Sequence, residues 1–173
     1  MKNILIALLT LSFFAVSAQK FESAIEFNDF IIDEQTKIGE KIVILMDEFE
    51  IGTRESAKVK HQELIVQTKA SLRALQSVKS FTGGARFKQA SLSLFNFYQS
   101  ICETEYARMI DIYFSEDYSD EDVAELTKMM EDITAREKAY DEEFAAAQEE
   151  FAKANGFDLK ENELQKEFDT EDK

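Results

Sequence analysis

Phe21, Ala24, Asn28, Ile31, Gln35, Ile38, Ile42, Leu45 and Phe49 recur three or four positions apart without a break. That spacing gathers them along one side of a helix, where a strand would scatter them over both faces. No stretch between turn residues shows the period-two alternation of a half-buried strand, so the chain predicts no sheet. The stripe ends at Glu50-Ile51-Gly52-Thr53, where Gly52 is expected to take the left-handed conformation that stops helices.

Three more stripes follow. The second holds His61, Ile65, Thr68, Leu72 and Leu75, widened by Leu64 and Val78, and closes at Gly83-Gly84. A third, aromatic-rich stripe runs through Phe87, Leu94, Phe95, Tyr98, Ile101, Cys102, Tyr106, Met109, Ile112 and Tyr113, and reads as one helix. Ser119 with Asp122 three residues on resembles a capping box. Behind it come Val123, Leu126, Met130, Ile133, Glu137, Tyr140, Phe144, Ala147, Phe151 and Ala154, ended by Asn155-Gly156. Four helices of about 25–35 residues joined by short loops predict an all-α, up-down-up-down antiparallel four-helix bundle over residues 19–156. A long coiled coil is the alternative, and the regular turns speak against it. Residues 157–173, with Leu164 and Phe168 as a weak apolar edge, read as an acidic C-terminal tail that is frayed or disordered.

Ahead of the stripes, Met1-Lys2-Asn3 leads into an apolar run from Ile4 to Val16 and then Ser17-Ala18. This is the pattern of a secretory signal peptide over residues 1–18, and the run is shorter than the roughly 20 apolar residues of a spanning helix. The expected localisation is export to the periplasm, the cell surface or the medium, with no membrane span in the mature chain. The single Cys102 can form no intrachain disulfide there, and its apolar neighbours suit a small buried hydrophobe.

Export also changes the charge. The whole chain carries 35 acidic and 20 basic side chains, a net of -15; loss of Lys2 leaves 19 basic ones and -16. The acidity is uneven: residues 54–88 hold 8 basic and 2 acidic side chains, whereas residues 116–173 hold 7 and 21. A sequence-independent nucleic-acid binder needs a dominant basic field, so nucleic acid is not an expected partner. The basic helix, with Lys58, Lys69 and Arg73 on one side, is expected to pair with acids of neighbouring helices; docking of an anionic partner is the other reading.

Candidates for chemistry are few. The acidic loop 116–122 offers oxygens to Ca²⁺, but counted from Asp117 the EF-hand glycine position holds Asp122 and the twelfth position holds Lys128. Helix capping explains the loop better. A di-iron bundle needs Glu-x-x-His pairs, and three residues before His61 stands Lys58. Haem is the small-ligand alternative: in an antiparallel bundle His61, Met46 and Met109 fall toward one end, with Met129 and Met130 nearby, and His with Met can hold haem iron. Core Met and a His61 paired with Glu105 are the plainer expectation, so neither cofactor nor metal is expected. Asn28, Gln35, Thr68 and Glu137 interrupt the stripes, the last three at similar depth, and suggest one buried polar layer that fixes register.

The segment Asn28-Asp29-Phe30-Ile31-Ile32-Asp33-Glu34-Gln35 resembles a stretch in secreted or surface helical proteins of Gram-negative bacteria. The resemblance covers the first helix and implies an exported helical domain, with no activity and no catalytic residue to carry over. With a full helical pattern and no catalytic constellation, the expected function is a non-catalytic interaction or binding module. Its expected partner is a protein or a surface component.

Overall fold

A computed structural model describes residues 20–159, all of whose regular structure is helical. The expected signal peptide and most of the expected tail lie outside the described residues. The helices are α1 (Ala24–Ile51), α2 (Arg54–Ser77), α3 (Ala85–Glu103), α4 (Glu105–Tyr113) and α5 (Asp120–Asn155). They make four helical spans, because α3 and α4 are one stripe interrupted at Thr104.

The interruption corrects the expectation of a single third helix. Ile101, Cys102, Tyr106, Met109, Ile110 and Ile112 are buried on both sides of it, so the apolar rhythm continues where the backbone does not. Capping is local elsewhere. The Ser23 hydroxyl accepts from the Glu26 amide at 3.1 Å, and Thr53 with Ser56 and Ser119 with Asp122 form capping boxes, the last as its spacing predicts. Gly156 ends α5 in the left-handed conformation at φ 70°. Gly52 instead is extended, with φ -93° and ψ -171°, contrary to expectation. It stays glycine because a Cβ there would stand 2.7 Å from the Glu48 carbonyl oxygen.

An aromatic cluster gathers where the starts of α1 and α3 meet the end of α5. Phe27, Phe87 and Phe151 are fully buried, with ring centroids 5.5 Å apart for Phe27–Phe151 and 5.6 Å for Phe87–Phe151. Gly84 allows this, since a Cβ there would stand 2.8 Å from Phe27. From that knot α1 packs mainly on α2, and α3 on α2 and α5, while α1 and α5 meet sparsely. The first half of α5 is accordingly thinly covered. Val123 and Met130, expected in its apolar stripe, are 45% and 40% exposed.

Candidate functional site, a groove between the third and last helices

The residues expected to carry chemistry are mostly engaged with the protein itself. His61 Nε2 lies 2.6 Å from the carbonyl oxygen of Cys102. A carbonyl only accepts, so this nitrogen carries the proton and donates. The reason is the break at Thr104: carbonyls in the last turn of a helix lose their intrahelical donors, and His61 reaches across from α2 to supply one. The expected pairing with Glu105 is therefore corrected, since Glu105 accepts from Arg136 at 2.6 Å instead. Met109 is buried on α4 and Met46 is packed against the core from α1. A haem ligand at His61 Nε2 would have to break its bond to Cys102.

Cys102 itself is buried beside Thr68, whose hydroxyl lies 4.0 Å from the thiol. Burial pushes the thiol pKa up to about 12, which keeps it protonated and poorly nucleophilic. The basic face of α2 is paired in part: Lys69 reaches Glu103 at 2.7 Å, Lys58 reaches Asp111 at 3.9 Å and Arg54 reaches Asp111 at 2.8 Å, whereas Arg73 has no acidic side chain within 4 Å among the described residues. In the loop 116–122, Asp122 accepts from the Ser119 backbone at 2.9 Å, so this carboxylate serves the helix start.

Of the four polar interruptions, the structure joins two. Gln35 and Glu137 both act on the hydroxyl of Tyr98, whose pKa is raised well above its usual value by burial and by the nearby Asp141 and Glu137 carboxylates. Thr68 turns away and donates to the Leu64 carbonyl at 2.9 Å, while Asn28 accepts from Gln148 at 2.8 Å. Asp141, one turn beyond Glu137, completes a pair of half-buried carboxyls. Burial, then the Glu137 charge, lift Asp141 to about 6, and burial also raises Glu137. Sequence reasoning missed Tyr98, counted among the apolar residues, and Asp141, which lies off the stripe; the four-residue step from Glu137 was the available signal.

Arg136 and Tyr140, each one position before one of these carboxyls on α5, border an open groove of about 560 Å³. Ser93, Asn96, Phe97 and Ser100 line it from one face of α3, Arg136 and Tyr140 from α5, and Glu105 from the first turn of α4. Phe97 and Tyr140 stack with centroids 4.8 Å apart and planes 23° apart. The Arg136 guanidinium sits 5.2 Å from the Phe97 ring centre while holding Glu105, which combines a cation–π contact with an ion pair. Thr104 also donates to Glu105, so the helix break fixes the acceptor's position. The arrangement offers an aromatic wall, one charged donor, one charged acceptor and several hydroxyl and amide groups. It suits binding and orientation of a small polar molecule.

Comparison with protein families, with curated proteins and with solved structures finds no match for this chain.

Proposed function

We propose that this chain is an exported, non-catalytic helical-bundle module that binds a protein or a surface component in the periplasm, at the cell surface or in the medium. The observation that carries the reading is the α3–α5 groove, a pre-shaped surface site whose lining is aromatic and polar. Two features support a binding role over catalysis: Cys102 is held as a neutral thiol, and His61 Nε2 is committed to a backbone carbonyl.

The bundle in this proposal has up-down-up-down topology. Its support is the progression of partners along the helices. As α2 advances from Arg54 to Lys69, its ion-pair partners recede from Asp111 to Glu103. From Arg86 to Arg108, partners on α5 recede from Glu150 to Glu125. Phe27 with Phe151 and Asn28 with Gln148 continue the rule for α1. Opposed directions for each neighbouring pair account for all of these.

Export rests on residues 1–18 and is tested by fractionating cells that express the full chain. The recovered protein should start at Gln19 or Lys20 by mass; a membrane-bound form retaining residues 1–18 would refute it. The binding role is tested by placing a photoreactive side chain at Ser93 in intact cells. A discrete cross-linked product that is lost with Arg136→Ala and Tyr140→Ala is expected. The same products at Ser93 and at Lys79, which does not line the groove, would overturn the groove as the binding site.

A further inference from the structure

We infer that the α3–α5 groove is a subsite for a neutral polyhydroxylated ligand, one to three sugar residues of a glycan. The inference deepens the binding-module reading above and rests on it.

The charge inside the groove selects against ions. Arg136 and Glu105 compensate each other at 2.6 Å, so the site offers no net charge. An anion at the free N–H groups of Arg136 is opposed by the Glu105 carboxylate beside them, and a cation at Glu105 is opposed by the Arg136 guanidinium. A neutral hydroxyl group meets neither repulsion. It donates to the carboxylate and accepts from the guanidinium N–H groups that point away from Glu105, and neighbouring hydroxyls on a pyranose ring present both roles side by side.

The remaining lining completes that match. A sugar ring has a polar rim and a largely apolar C–H face. Tyr140, stacked on Phe97 and 38% exposed, supplies a ring for that face to lie against. Asn96 spends its amide nitrogen on the Leu92 carbonyl at 2.6 Å, which leaves its carbonyl oxygen to accept. Ser93 and Ser100, a turn to either side, carry hydroxyls that donate and accept. The volume of about 560 Å³ falls within the range of small-molecule sites. Its open side lets a longer chain pass through without threading.

The test is an amide chemical-shift titration of the full mature chain with maltotriose, cellotriose and triacetylchitotriose as neutral probes and trigalacturonate as the anionic one. At least one neutral trisaccharide should give saturable shifts confined to residues 93–105 and 136–141, with a Kd of about 1 mM or below. Tyr140→Ala and Arg136→Met should each weaken it by about tenfold or more, while Tyr140→Phe retains it. Ser100→Arg, filling the groove from α3, should abolish it; unchanged circular dichroism shows that each variant is folded. Absence of saturable shifts with all three neutral sugars at about 20 mM, or tighter binding of trigalacturonate, would overturn the inference. A cross-linked partner at Ser93 without sugar binding would sink the glycan assignment and leave the binding module standing.

Discussion

His61 donates from Nε2 to the carbonyl oxygen of Cys102 at 2.6 Å, so an α2 side chain completes a hydrogen bond that the α3 backbone loses at Thr104. This ties the position of the break to a residue 41 places earlier in the chain. Replacing His61 with Ala removes the donor and leaves a carbonyl in a part-buried setting. A loss of about 1–2 kcal/mol in urea unfolding is expected, with His61→Gln losing less. Equal stability of the wild type and His61→Ala would show that water replaces the imidazole at no cost.

Asp141 gives the protein an acid-side gain in stability. Its folded carboxyl titrates at about 6 against an ordinary 3.8, so the folded state binds the proton more tightly than the unfolded one. The penalty is therefore complete above about pH 6 and is relieved as pH falls toward 4. Asp141→Asn should stabilise the protein by about 1–2 kcal/mol at pH 7, a value discounted for the residual water around a half-buried group. The gain should vanish near pH 4, as read from paired denaturation curves. A gain independent of pH would assign the effect to packing.

Gly84→Ala should be costly although its φ of -91° is open to any residue. The added methyl would meet Phe27 at 2.8 Å and Phe151 at 3.1 Å, both inside the aromatic knot. Overpacking of this kind costs about 1–3 kcal/mol, and calorimetry should show a lowered Tm. Phe27→Leu in the same chain should recover part of the loss by making room.

Cys102 should be inert while the protein is folded. Its pKa of about 12 and its burial predict negligible reaction with a disulfide reagent at pH 8 in buffer. Urea should release a full equivalent of thiol. Rapid labelling without denaturant would mean that the α3–α4 break opens on its own.

The helices were legible in the sequence because an apolar stripe is a local property, repeated every three or four residues. Their caps were legible at Ser119 and Gly156 for the same reason. Thr104 was not, since Cys102 and Tyr106 keep helical spacing across it and the break shows only in the hydrogen bonds. The candidate site was harder to read. Ser93, Asn96 and Ser100 look like an ordinary solvated face of α3, and only the docking of Tyr140 and Arg136 turns that face into a wall. Tyr98 hides a polar group in an apolar stripe, and its link to Gln35 and Glu137 requires three helices to be in place.

The contact between Phe27 and Phe151 joins the first described helix to the last. A polypeptide made or delivered from its N-terminus thus leaves the Phe27 end of α1 incompletely covered until nearly all of α5 has followed. Completion is governed by the final segment, so a chain cut short before Phe144 would lose the knot and expose Phe27 and Phe87 together. Such a fragment should be sticky and short-lived.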